Sequence, residues 1–234
     1  MMQVFKEFHS QNVVLRSLNA TFLVLILNKG GASDVNNFKP INLVGSLHKI
    51  LAKVLTNRLK RVIGKVVSNN QNALVRARQI LDATLAPNEA INSRKRSSNA
   101  GLVCKLNIEK AYDHVNWKFL LSVLEKMEFG PKWRQWILFC IYTVRMIVLV
   151  NGSPTNFFST PRGPRQGDPF SPYLFVLIME AFSGLIAKAE EGGFIMDFKV
   201  VARGGEGVQV SHLLFVDDTL LFCEDNKDQL KFWK

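Results

Sequence analysis

A mixed α+β fold with an antiparallel sheet is what this sequence predicts, and three observations predict it. Strand-like and helix-like stretches follow one another as strand, helices, strand, helices, hairpin, helix and strands. That order suits an α+β chain better than a doubly wound parallel sheet. Val144 to Val150 and Thr155 to Ser159 flank Asn151-Gly152, a pair that suits the type I′ turn of a tight hairpin. Leu213-Leu214-Phe215-Val216 and Thr219-Leu220-Leu221-Phe222 flank a second turn candidate, Asp217-Asp218.

The elements follow in order. Thr21-Phe-Leu-Val-Leu-Ile-Leu27 reads as a buried strand closed by the turn-rich Asn28-Lys-Gly-Gly31. Ser46 is placed to cap a helix with Leu47, Ile50, Leu51, Val54, Leu55 and Val62 as its apolar stripe. Lys49, Lys53, Arg58, Lys60, Arg61 and Lys65 decorate the other sides, either as a solvated face or as a surface for a phosphate backbone. A helix over 80–92 contains Pro87, which removes a hydrogen bond and costs about 3 kcal/mol unless the helix kinks or ends. Ser93-Arg-Lys-Arg-Ser-Ser-Asn99 reads as a connecting loop.

Residues 101–108 form a strand, and Asn116 caps a helix with Trp117, Leu120, Leu121 and Leu124 inward. Gly130-Pro131 ends that helix, and the next carries Trp133, Trp136, Ile137 and Cys140. Ser171-Pro172 starts a long helix, with cap and first-turn proline. Leu174, Ile178, Ala181, Leu185 and Ala189 share one of its faces, and Gly192-Gly193 stops it. Two short strands then lead into Asp217-Asp218.

A chain of 234 residues, 47% of them hydrophobic and 21% charged, can bury a core in one or two domains and is not disordered. Thirty Lys and Arg against nineteen Asp and Glu leave a net charge of +11. That surplus points to a polyanionic partner, nucleic acid before anionic membrane. Cys104, Cys140 and Cys223 are widely spaced, lack metal-ligand spacing and sit in apolar segments, which predicts reduced core thiols in the nucleus or cytoplasm. The apolar run from Ala20 to Leu27 is too short to span a bilayer, and Met1 to His9 lack the apolar core of a signal peptide.

Adjacent acids in an apolar strand are costly, because side chains alternate faces and one face is buried. The cost falls if the pair sits at a tight turn and faces a cation. Mg²⁺ prefers carboxylate oxygens, and sites for phosphoryl transfer pair two such ions. From Asp217-Asp218 alone two readings stand: a metal-binding turn, or a hairpin turn that merely carries two acids.

Four segments occur in one order: Phe38-Lys39-Pro40-Ile41-Asn42-Leu43, Leu106-Asn107-Ile108-Glu109-Lys110-Ala111-Tyr112-Asp113, Arg165-Gln166-Gly167-Asp168-Pro169-Phe170-Ser171-Pro172 and Phe215-Val216-Asp217-Asp218. With them the chain resembles the reverse transcriptase of plant non-LTR (LINE-type) retrotransposons, from about Leu18 onward. The resemblance implies a right-hand polymerase fold, with fingers over residues 1–100, an incomplete palm over 101–234 and no thumb. It implies an RNA-directed DNA polymerase that extends a DNA primer along an RNA template with dNTPs and two Mg²⁺ ions. Asp217 matches the metal-binding aspartate of the hairpin and Asp218 its neighbour, while Ile108 matches a residue whose backbone carbonyl meets a metal. Tyr112 matches the aromatic that excludes a 2′-hydroxyl. Gln166 and Gly167 match the loop beside the incoming nucleotide, and Arg78 matches a fingers residue that grips the triphosphate. Lys39 stands where arginine is usual, and Lys49, Lys53, Arg58 and Arg61 are expected to meet the nucleic-acid backbone.

The main departure is Asn107, where the family carries the aspartate that bridges both metals. Asparagine keeps the shape but loses a negative charge and one strong oxygen ligand, and affinity for hard ions follows ligand charge. A loss of ~4 kcal/mol in transition-state stabilisation lowers a rate roughly 10³-fold. Leu27-Asn28 replaces a usual Ile-Pro, Ala77 a glycine and Val216 an alanine, while Pro87 and Pro164 are further oddities. The expectation is a decayed, truncated element with weak or no polymerase activity; the alternative is a non-catalytic remnant that still binds nucleic acid.

Overall fold

The structure, a computed structural model, describes residues 2–11, 20–27, 30–31, 34, 37–43, 45–78, 87–89, 91–92, 95, 101–108, 110–142, 145–150, 152–159, 163, 167–195, 198–200 and 208–224. Two compact units divide the chain. One comprises Met1–Leu59 with Tyr112–Leu174, the other Lys60–Ala111 with Phe175–Lys234. Each is built from two separated stretches. The expected fingers and palm are functional divisions, distinct from this division by packing.

In the first unit, strand β1 (Ala20–Leu27) pairs antiparallel with β2 (Phe38–Leu43) and parallel with β4 (Arg145–Val150), which pairs with the short β5 (Ser153–Pro154). The β4–β5 connection is the expected two-residue turn, since Val150 faces Ser153 and Gly152 has φ +81. The pairing continues past β5, with Met146 bridged to Phe158.

Helices of this unit are α1 (Met2–Gln11), α2 (Ser46–Leu59), the third and fourth below, and the start of a long one. The buried stripe of α2 is His48, Leu51, Ala52, Leu55, Thr56 and Leu59. It is rotated from the expected one, leaving Ile50, Val54 and the following Val62 exposed. Two polar residues can face inward because each is satisfied there. Thr56 Oγ1 donates to the Ala52 carbonyl at 2.7 Å, and His48 meets Asp168.

Helix α3 (Ile63–Val66) belongs to the second unit. Back in the first, α4 (Trp117–Lys126) is capped as expected, with Asn116 Oδ1 accepting from the backbone N–H of Lys118 at 2.9 Å and Phe119 at 3.2 Å. Val123, not Leu121, completes its buried face. Proline opens α5 (Pro131–Tyr142), whose Arg134 is paired with Glu125 at 2.5 Å. Trp136 is covered by rings of Phe8 and His9 and by the cations of Arg58 and Lys132.

Helix α6 (Ser171–Glu191) is apolar on nearly every side. Leu174, Phe175, Val176, Leu177, Met179 and Ile186 are buried, whereas Leu185 is 63% exposed, contrary to the expected face. By length and composition α6 could cross a bilayer, and 39% of its apolar stretch, residues 174–177 included, is buried within the protein. Backbone bonds from Gly192, Gly193 and Phe194 close the helix, with Gly193 at φ +73.

The second unit centres on a three-stranded antiparallel sheet in the order β3 (Gly101–Asn107), β9 (Asp218–Glu224), β8 (His212–Phe215), beside a hairpin of β6 (Phe198–Val200) and β7 (Val208–Val210). Three strands therefore lie between α6 and the turn, where two were expected, and the turn itself is Val216-Asp217 rather than the expected Asp217-Asp218, because Asp218 pairs with Phe215 as the first residue of β9. Phe222, fully buried, packs with Val210, Leu213 and Leu220. The segment before Arg78 extends this sheet, since Leu214 N–H donates to the Asn70 carbonyl and Asn72 N–H to the Leu214 carbonyl. Pro87 is buried and helical with residues 88–89; the rest of the expected 80–92 helix is described only at 91–92. Cys140 and Cys223 are buried, but Cys104 is exposed, in a strand at the edge of its sheet.

Candidate active site

Strand register brings the acids and Asn107 together. β3 pairs with β9 so that Asn107 is the direct Cα partner of Asp218, and β8 pairs with β9 so that Phe215 faces Asp218. Val216 and Asp217 form the two-residue turn between them. Asp217 is half-buried, and Ile108, one residue past Asn107, is 38% exposed. Val216 holds φ +57, a region that β-branched residues rarely adopt.

Partners opposite one another in a ladder present their side chains on one face. Lys105, two residues before Asn107, shares that face, and its Nζ sits 3.0 Å from Asp218 Oδ1. Both side chains are solvated, at 62% and 50% exposure, so the pair adds little to stability.

The donors here are two carboxylates, the amide oxygen of Asn107 and the carbonyl of Ile108. All are hard oxygens and fit a divalent cation in kind, though with one carboxylate fewer than the family expects. Among the described residues no group of three or more His, Cys, Asp or Glu is arranged to hold a metal ion.

Arg78 belongs to the same unit but spends its guanidinium locally. Its Nη1 donates to the carbonyls of Ser68, at 2.5 Å, and of Gln71, and Nη2 donates to Asn69 Oδ1 at 3.2 Å. The loop it braces carries Leu74 at φ +60 and Ala77 at φ +69, the latter where glycine was expected.

A buried polar network lies beneath the hairpin. His212 Nε2 accepts from Asn70 at 3.1 Å and lies 2.5 Å from Ser183 Oγ, while Nδ1 meets Ser211 Oγ at 2.8 Å. Ser68 Oγ donates to Glu180 Oε2 at 3.1 Å and lies 3.2 Å from Ser183 Oγ. Burial pulls the His212 pKa down to about 4. Burial raises the Glu180 carboxyl, against the opposing pull of Ser68 and Arg78.

The first unit holds the nucleotide-side candidates. Tyr112 is half-buried in the turn after β3. The neighbouring Asp113 backbone is approached by Gly163, where a Cβ would lie 3.3 Å from Asp113 Cα, and Gly163 N–H donates to the Val115 carbonyl. Gly163 has φ +81 and Gly167 φ +88, so both positions suit glycine. Asp168 then anchors the start of α6: Oδ1 accepts from Phe170 N–H at 2.9 Å and Oδ2 meets His48 Nε2 at 3.0 Å, both residues being buried. Gln166 lies outside the described residues, as do Asn28, Asn151, Pro164 and Glu109. Lys39 is paired with Ile26 in β2, and its side chain is likewise outside the described set. Lys49, Lys53 and Arg58 are exposed on α2, with Arg58 lying 5.6 Å over the Trp136 ring. Arg61 is exposed in the turn after α2, in the second unit.

Residues 26–234 match the family described as reverse transcriptase (RNA-dependent DNA polymerase). The chain belongs to the reverse transcriptase family. It is 27% identical over 228 residues to the transposon TX1 uncharacterized 149 kDa protein of Xenopus laevis, covering 97% of this chain and 17% of that protein. It is 28% identical over 204 residues to a retrovirus-related Pol polyprotein from type-1 retrotransposable element R2 of Popillia japonica, covering 86% of this chain and 27% of that protein. The chain therefore spans well under half the length of these relatives. Among solved structures, telomerase from Candida tropicalis with a fragment of telomeric RNA superposes with a TM-score of 0.60 at 13% identity, over 92% of this chain and 37% of that one. That likeness shows a shared fold, so the α+β architecture is that of a partial polymerase.

In this reverse transcriptase domain, sequence reasoning missed Lys105, the His212 network and the His48–Asp168 pair. Lys105 carried a usable signal, since a basic residue two positions before Asn107 on a strand shares its face. The buried pairings join segments far apart in the chain and left no local signal.

Proposed function

We propose that this reverse transcriptase domain derives from a LINE-type (non-LTR) element of a plant, and that its RNA-directed DNA polymerase chemistry is weakened at Asn107. The register that sets Asn107 directly opposite Asp218 carries this reading. The substrates in this reading are an RNA template, a DNA primer and dNTPs, met in the nucleus or cytoplasm. Divalent ions, when bound, would neutralise charge on the attacking 3′-oxygen and the leaving pyrophosphate. Asp217, Asp218, the Asn107 amide oxygen and the Ile108 carbonyl are the groups that would hold them.

The remaining roles belong to the chain's own residues. Tyr112 would bar a 2′-hydroxyl by its bulk. Gly167, with no Cβ, would let the Gln166-Gly167 backbone approach the nucleotide. Lys39 would offer a point charge to the triphosphate, without the fork of arginine. Arg78, committed to its own loop carbonyls, would act mainly by holding that loop in shape. Lys49, Lys53, Arg58 and Arg61 would contact backbone phosphates.

Primer extension on an RNA template with Mg²⁺ tests the reading. The unaltered chain should extend poorly, and Asn107→Asp should raise the rate by about 10²–10³. Robust extension by the unaltered chain would refute the impairment. Asn107 and the +11 charge also favour a second reading, a domain that binds primer–template without chemistry. In that case Asn107→Asp leaves extension at background while binding persists.

A further inference from the structure

Asn107 is not the only residue that alters the charge at the hairpin. The Lys105 ammonium lies 3.0 Å from Asp218 Oδ1, on the strand face that also carries Asn107. Asp217 and Asp218 contribute two negative charges, Asn107 none, and Lys105 returns one positive charge. The hairpin and its neighbouring strand are left with one net negative charge, where an intact site with aspartate at 107 and no nearby cation would have three.

We infer that Lys105 is a built-in competitor for the cation that these carboxylates would hold, so that ion affinity at the hairpin is set by Lys105 together with Asn107. The inference rests on the metal-binding role proposed above for Asp217 and Asp218. The physics is direct. A divalent ion approaching Asp218 meets an ammonium already seated on one of its oxygens. It must displace that group and then sit beside a like charge. An exposed Lys–Asp pair contributes little by itself, so the ammonium is easily moved. Repulsion of a doubly charged ion at a few ångströms is larger, though screened by solvent and salt. The expected consequence is a moderate loss of affinity that grows as ionic strength drops. Lys105 is a positioning residue in this account, acting on the ion through Asp218.

Binding of Mn²⁺ alone to the full chain, followed by electron paramagnetic resonance at fixed ionic strength, tests this without any polymerase activity. Lys105→Gln should tighten the Mn²⁺ Kd about three- to tenfold, and the gain should shrink as KCl is added. Lys105→Arg, which keeps the charge, should leave Kd near that of the unaltered chain. In an Asp218→Asn background, Lys105→Gln should produce no gain. Asn107→Asp should tighten binding about tenfold or more, since it adds a charged ligand. If Asn107→Asp tightens binding but Lys105→Gln does not, the competitor role is overturned and the metal-site reading survives. If neither substitution changes Kd, or no chain binds Mn²⁺, both are overturned. Lys105 is 62% exposed, so folding is not at stake in the Lys105 variants.

Discussion

At the scale of single residues, His212 is where environment most alters chemistry. It is 1% exposed, hydrogen-bonded at both ring nitrogens, and burial lowers its pKa to about 4 from the 6.5 of a solvated histidine. Between those values the unfolded chain takes up a proton that the folded chain refuses. Stability from this group is therefore complete above about 6.5 and is lost as pH falls toward 4, by up to about 3 kcal/mol. Glu180 works in the opposite sense: burial raises its carboxyl, which holds a proton longer in the folded protein, so stability from it is lost as pH rises through its raised value. Urea unfolding of the unaltered chain and His212→Gln across pH 4–6.5 separates the two, and the variant should show the shallower rise. Equal slopes would exclude His212 as the source. None of this was legible beforehand, because a histidine at the start of an apolar strand reads as core or as ligand with equal ease. Asn116 was legible, because a cap is local: its side chain serves N–H groups two and three residues away.

At the scale of elements, periodicity located helices better than it oriented them. The stripe of α2 was misplaced because His48 and Thr56, polar by type, occupy core positions that only distant or backbone partners make tolerable. The face of α6 was misplaced because a helix apolar on nearly every side gives little contrast from which to choose. The hairpins were legible, since Asn-Gly and the two acids each interrupt apolar runs, although the second turn is Val216-Asp217 and Asp218 already belongs to β9. Asp168 ties two of these elements: it accepts from the N–H of Phe170, the residue just before α6, and holds His48 of α2. Asp168→Ala removes both bonds and should cost about 2–4 kcal/mol in thermal or urea unfolding. Asp168→Asn, which retains an acceptor, should cost less; equal losses would mean that the bond to Phe170 is not the source.

At the scale of the whole molecule, the charge surplus and the family belong together. A net charge of +11 on a reverse transcriptase domain predicts binding to an RNA–DNA duplex that weakens steeply with salt. Each phosphate contact adds roughly 0.9 to the slope of log K against log salt, so Lys49→Gln and Lys53→Gln should each flatten it by about 1. A slope unchanged by both substitutions would mean that the exposed face of α2 is merely solvated. Family membership was legible from four short motifs, whereas the division into units was not, because it depends on which distant segments pack. That division has a consequence for how the chain matures. The path passes between units after Leu59, after Ala111 and after Leu174. Neither unit can be completed by a nascent polypeptide until its second stretch has left the ribosome, and no single cut releases a self-sufficient half. Dissection at residue 100 would yield two pieces that each lack part of their own interior.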